Sequence, residues 1–186
     1  MKLIKKKFFN DIKTILSRWG FSKQGLLQNS KGEWYLFSQL LLILLHLTPA
    51  YPKIENITFS INIFFIIIGI AISIQGLIIV IRAIIDLGNN LTPLPYPMND
   101  SRLIINNSYK NNRHPLYKGI LFISLGICIF SMSLIHLFLL FSLAYILRSK
   151  ALKEEERLRI KFPEYEKYIE EVPAIIKNIK YLDWRD

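Results

Sequence analysis

The chain holds one cysteine, Cys128, in 186 residues. A single thiol excludes an internal disulfide framework and a cysteine-based metal cluster. Histidine is nearly as scarce. His46, His114 and His136 are scattered, with no pair at ligand spacing, so no metal site is supported. Low-complexity tracts, Gly-Ser linkers and convincing internal repeats are missing too, and the length is that of one domain. The most informative absence is of charge. No Asp, Glu, Lys or Arg occurs in 34–52, 56–81 or 119–147, windows of 19, 26 and 29 residues.

The charge that is present is lopsided: 24 Lys and Arg against 14 Asp and Glu, a net charge of +10. Alone, that balance suggests a basic nucleic-acid binder. Its distribution argues for no nucleic acid and for a lipid bilayer, because a helix crossing the hydrocarbon core needs about 20 apolar residues. The mean hydropathy of +0.29 averages over two unlike kinds of segment.

The first predicted span covers 34–50 and ends near Pro49 and Pro52. The second covers 59–85 and carries Gly69, Ala71, Ser73 and Gly76, small residues that permit close helix contact in lipid. Arg82 can snorkel to the headgroups at its end. The window 119–147 would rise about 43 Å as one helix, too long for one upright span and too short for two full ones. It reads either as one tilted helix or as a hairpin turning near Ser131–Ser133. Basic residues decide. Eight Lys and Arg precede the first span, and ten follow Leu147. The hairpin puts both groups on the cytoplasmic side, as the positive-inside rule requires. The fold class is therefore all-α: a multi-pass integral membrane protein of about four transmembrane helices, the last two a hairpin, with both termini cytoplasmic.

Three regions follow: a basic amphipathic segment at 1–33, a transmembrane domain at 34–147 with a cytoplasmic loop at about 86–118, and a cytoplasmic helical tail at 148–186. In the first, Phe8, Ile12, Ile15 and Trp19 recur at helical spacing among lysines, as in a helix lying on an anionic surface. The tail predicts a charged helix through Lys161, a break at Phe162-Pro163, a short helix over 164–171 and an end at Val172-Pro173. His136 reads as a neutral histidine hydrogen-bonded between helices, His46 as interfacial and Cys128 as packing. Asn56-Ile57-Thr58 has the glycosylation pattern, which arises often by chance.

Two polar clusters flank the hairpin. One is Tyr109 to Gly119, with Arg113-His114-Pro115-Leu116-Tyr117-Lys118-Gly119 at its end. The other is Lys150 to Leu158, with Glu154-Glu155-Glu156-Arg157. Each has a plain reading. Arg113 and Lys118 suit a span end, Pro115 suits a first helical turn, and the glutamates suit a solvated face. The hairpin, however, brings the clusters together.

From Asp86 to Pro173 the chain resembles the isoprenylcysteine carboxyl methyltransferase family. The resemblance rests on Asp86-Leu-Gly-Asn-Asn-Leu-Thr-Pro-Leu-Pro95, the Arg102-Leu-Ile-Ile stretch, Arg113-His-Pro-Leu-Tyr-Lys-Gly119, Glu154-Glu155-x-x-Leu158, Phe162, Tyr165-x-x-Tyr168 and Val172-Pro173. It implies methyl transfer from S-adenosylmethionine to a lipophilic small-molecule or lipidated substrate, a prenylcysteine-like carboxylate being one such acceptor. It also implies that Tyr109, His114, Pro115, Leu116, Tyr117, Glu154, Ser101, Arg102, Leu103 and Ile104 bind the cofactor. A sulfonium suits aromatic faces and a carboxylate. Lys150 stands where the family's eukaryotic members place a substrate-binding arginine, and Arg113 is the second candidate for the substrate. Asn107-Ser108 and Asn112 depart from the family's usual Gly-Pro and apolar residue. Displacement by an ionised carboxylate needs no general base, whereas an amine acceptor would make His114 the base. A phospholipid or other amine N-methyltransferase is the nearest alternative. An NADPH-dependent membrane reductase and a non-enzymatic scaffold are more distant ones.

Overall fold

The computed structural model describes residues 14–52 and 59–184, and no β-strand occurs among them. Residues 1–13, the first part of the predicted amphipathic segment, and the Asn56-Ile57-Thr58 triplet lie outside the described residues. A short helix α1 (Lys23–Gln28) is followed by α2 (Glu33–Leu45), the long α3 (Phe59–Leu87), α4 (Pro115–Ser131), α5 (Leu134–Lys161), α6 (Tyr165–Glu171) and α7 (Lys180–Asp183). Two 3-10 turns, Gly88–Asn90 and Asn107–Lys110, bracket the loop between α3 and α4.

Two stretches, Ile61–Asn90 and Leu134–Lys161, are long and apolar enough to cross a membrane. The other two predicted spans form shorter helices. Of the 34–50 window only the part within α2 (Glu33–Leu45) is helical. Its 13 residues rise about 20 Å, less than the roughly 30 Å hydrocarbon core. The apolar sequence runs on, but the backbone tightens into i→i+3 bonds from His46, Leu47 and Thr48 and the helix stops.

The 119–147 window folds as two antiparallel helices. Met132 caps α4 in the left-handed region (φ 46°), its N–H returning to the Cys128 carbonyl, and α5 begins two residues later. Ser133 Oγ binds both the N–H and the C=O of Tyr51, so the segment before α3 covers the hairpin tip. Charge did not break the chain again. α5 runs unbroken for 28 residues through Leu147 into the charged stretch, so the tail helix expected after 147 is the continuation of the hairpin's second arm. With no glycine or proline between Leu134 and Lys161, nothing in the sequence halts it.

α3 and α4 lie nearly backbone to backbone. A Cβ on Gly126 would sit 2.4 Å from the Gly69 carbonyl oxygen and 2.2 Å from Ser73 Oγ, and one on Gly76 would sit 2.7 Å from the Gly119 carbonyl oxygen. The pairs Gly69–Gly126 and Gly76–Gly119 are each seven residues apart on both helices. They form an antiparallel seam of the small-residue kind that membrane helices use. On the outer face of α3, Phe64, Ile67, Ile74 and Ile81 are exposed, as lipid-facing side chains would be.

The tail returns to the hairpin. Backbone N–H groups of Arg113 and His114 donate to the carbonyls of Pro173 and Ala174, and Ala174 and Ile175 pair in turn with Asp183 and Leu182. Ala174 and Ile175 then enter a core with Tyr117, Leu143, Leu147 and Ala151. Each large side chain buried there contributes about 1.5–3 kcal/mol. A second core, Tyr165, Tyr168 and Ile169, packs α6 on Leu103 and Leu158.

Candidate active site

The hairpin sets the first turn of α4 beside the charged half of α5. A cleft open to solvent forms between that half, the loop after α3 and helix α6. Its walls carry Asn90, Thr92 and Ser101 from the loop, Tyr109 from the second 3-10 turn, Glu154 and Leu158 from α5, and Tyr165 and Tyr168 from α6.

Of the ten residues expected at a cofactor, Ser101, Arg102, Leu103, Ile104, Tyr109, His114 and Glu154 line this cleft, together with Arg113. Pro115, Leu116 and Tyr117 do not. They open α4, and its helical turn carries Tyr117 and Leu116 away from the cleft into the core against the tail. Tyr117 still reaches the site indirectly, because its hydroxyl donates to Glu154 Oε2 at 2.8 Å. Its ring stacks on His114, centroids 5.2 Å apart and nearly parallel.

Glu155 was expected on a solvated face. It is instead buried, 3% exposed. One oxygen, Oε1, accepts from Arg113 Nε at 2.8 Å and lies 2.7 Å from His114 Nε2. Burial opposes its charge, but the hydrogen bond from His114 and the charges of His114 and Arg113 outweigh burial and hold the carboxyl below its ordinary range. When His114 is neutral and Nε2–H donates to Glu155, its lone pair is on Nδ1.

Arg113 was a candidate for the substrate, and the structure assigns its donors elsewhere. Besides Glu155, the guanidinium donates to the carbonyls of Ile169, Val172 and Trp184. Those bonds saturate most of the planar fork with tail backbone, so Arg113 is the clamp that holds the tail over the site. Lys150, the other substrate candidate, does not line the cleft. It is 3% exposed, behind Tyr117, with Nζ 5.5 Å from that ring's centroid and 2.8 Å from Gln39 Oε1 on α2.

The cleft phenols are held neutral. Burial raises Tyr109 well above the ordinary phenol value, and the Glu154 carboxylate adds to it. Burial likewise raises Tyr165 and Tyr168. The Tyr168 hydroxyl donates to the Tyr109 carbonyl, which ties α6 to the loop. The loop is further fixed by Asp86, which accepts from Asn107 Nδ2 and the Ser108 N–H, and by Asn90 Oδ1, which accepts from the Arg102 N–H.

Sequence reasoning missed Glu155, Gln39 and Trp184, the last lying tilted against His114 at 5.9 Å. Gln39 carried the clearest signal, being the lone amide in a mostly apolar helix. His46, expected at an interface, is buried and bonded to Ser124 Oγ at 2.6 Å. His136 Nε2 lies 3.3 Å from the His46 carbonyl, an interhelical contact as expected. No group of three or more metal-ligating side chains occurs among the described residues.

Comparison with known protein families found no matching family model, and a search of curated proteins found no significant match.

Proposed function

We propose that this chain is a membrane-embedded methyltransferase that uses S-adenosylmethionine and methylates a lipophilic acceptor. The observation that carries the reading is the convergence, in one cleft, of Glu154, the aromatic Tyr109, Tyr165 and Tyr168, and the polar Asn90, Thr92 and Ser101. That donor set suits the cofactor. A carboxylate and aromatic faces attract a sulfonium, and the amide and hydroxyls suit amino and ribose groups. When bound, S-adenosylmethionine supplies an electrophilic methyl group.

The chain's own residues then have separable tasks. Glu154 holds positive charge, its orientation fixed by the Tyr117 hydroxyl. Arg113, saturated by Glu155 and the tail, keeps α6 and the tail in place as the cleft's roof. Lys150 is a buried cation on the α2 side of Tyr117, where an anionic group arriving from the bilayer would meet it. In this reading α2 to α5 all cross the membrane, the two short helices being completed by flanking residues. Both termini face the cytoplasm, where the basic residues lie.

A carboxylate acceptor needs positioning rather than a base. The His114–Glu155 pair favours a second reading, an amine acceptor. Glu155 orients the ring and fixes which nitrogen carries the lone pair, the arrangement a general base requires.

Membranes containing the protein, incubated with methyl-labelled S-adenosylmethionine, test the proposal. Label is expected in a lipid-extractable component, and mild base releases it if the product is an ester and not if it is an N-methyl amine. Glu154→Ala is expected to reduce incorporation by at least about tenfold, the worth of one charge-assisted contact. Absence of label from every membrane component would contradict the proposal.

A further inference from the structure

A second cleft lies on the other side of the loop that walls the candidate active site. It is open to solvent and is lined by Arg18, Trp19, Gly20 and Lys31 from the N-terminal region and by Tyr96 to Asp100 from the loop. Pro97 lines both clefts.

Its charged lining is Arg18, Lys31 and Asp100, and the buried Glu33 carboxylate accepts from the Lys31 backbone N–H at 2.9 Å. Arg18 and Asp100 pair at 2.8 Å and offset each other. Lys31 is half-buried, and its Nζ makes no hydrogen bond or ion pair among the described residues. The ammonium lies against the backbone of Gly20, where a Cβ would come within 2.5 Å of Nζ, so glycine leaves room for it. Behind the wall, the Arg157 guanidinium lies over the Tyr96 ring, 4.6 Å from its centroid, and its buried Nε has no partner. The cleft thus has one ammonium in no ion pair among the described residues and a second cation behind Tyr96.

Depth selects the kind of anion. The uncharged arm of α5, 134–147, gives way to the charged stretch 148–161, which leads out of the apolar layer. Its last residue, Lys161, donates to the carbonyls of Met98 and Asn99 and to Ser101 Oγ. With the uncharged arm of α5 in the membrane, on which this argument rests, the loop 98–101 is held on the charged, headgroup-facing side of the apolar layer. Trp19 and Tyr96 add the amphipathic aromatic rings that favour that layer.

We infer that this cleft binds the phosphate of an anionic phospholipid headgroup, with Lys31 as its direct cationic contact and Arg157 reinforcing the potential from behind Tyr96. The site is separate from the proposed cofactor cleft, and its occupancy does not depend on the methyl-transfer reading.

The full chain, reconstituted in phosphatidylcholine vesicles containing phosphatidylglycerol and released for native mass spectrometry, tests this. Wild type is expected to retain phosphatidylglycerol in preference to phosphatidylcholine. Lys31→Gln is expected to lower that preference about tenfold, the loss of one charge-assisted hydrogen bond. Lys31→Arg keeps it. Lys177→Gln, which makes the same change in net charge on an exposed tail residue, also keeps it. Equal behaviour of the two Gln variants would overturn the inference, and so would displacement of the lipid by inorganic phosphate, which would make this a site for a soluble anion. A phosphatidylglycerol with a photoreactive headgroup gives a readout on wild type alone. Crosslinks are expected at 17–20 and 96–100, and their absence there would also overturn it.

Discussion

Glu154 and Glu155 are adjacent on one helix, yet the fold uses them for opposite purposes. Glu154 faces the cleft and takes one hydrogen bond, from Tyr117. Glu155 points the other way, into a buried junction with Arg113 and His114. A charge pair that deep need not stabilise relative to an apolar core, but breaking it leaves an uncompensated ion. Glu155→Gln is therefore expected to destabilise the protein by about 3–5 kcal/mol and to loosen the tail, read as faster proteolysis after residue 171. The pH dependence has a definite sign. The folded carboxyl is held below its ordinary value, so its contribution is complete above about pH 4.3 and is lost as pH falls through the depressed value. Acid should release the tail of wild type and leave Glu155→Gln, already loosened, with a flatter profile. The sequence showed a run of glutamates and arginines at helical spacing, which is how a solvated face reads. What buries Glu155 is Arg113, 42 residues earlier, and no local pattern encodes that partner. Tyr109, Ser101 and Glu154 were legible because motif order reflects their common cleft. Tyr117 and Leu116 belong to the same motif, but the helical turn at Pro115 points them into the core.

Among the elements, the α3–α4 seam carries the sharpest consequence. Four glycines bring two backbones so close that any side chain at Gly69 or Gly126 meets main-chain atoms. Gly126→Leu is expected to force α3 and α4 apart, at a cost of about 1–3 kcal/mol or more. A lower unfolding midpoint in detergent would report it, whereas an equal substitution at Gly88, where nothing lies within 4 Å of the Cβ direction, touches no neighbour. That position has positive φ, so its own cost is local strain rather than helix separation. The small residues of α3 were visible in the sequence, and their partners Gly119 and Gly126 were visible too, but pairing them needed the hairpin. The hairpin itself was legible because the basic residues on either side of a 29-residue uncharged window had to fall on one side. The shortness of α2 was not legible, since apolar sequence continues to Pro52 while the helix stops at Leu45. Hydropathy reports what a segment can be buried in and says little about where its hydrogen bonding changes.

At the scale of the whole molecule, the net charge of +10 is segregated along the chain. Among the described residues, Lys and Arg are absent from 34–52, 59–81 and 119–147 and lie in the N-terminal region, the end of α3, the loop, the first turn of α4, the charged half of α5 and the tail. The loop lines both clefts, one with a carboxylate among tyrosines and one with an unpaired ammonium. The all-helical class, the long second span and the antiparallel last pair could be read from spacing and charge. The roof over the first cleft could not, because it is built from backbone carbonyls of the tail held by Arg113. The central claim is that this roofed cleft holds S-adenosylmethionine, and titration calorimetry on the purified full chain tests it most directly. Saturable, one-to-one binding of S-adenosylhomocysteine that is lost in Glu154→Ala and kept in Lys177→Gln is the result predicted. An absence of binding by folded wild-type protein would contradict the account.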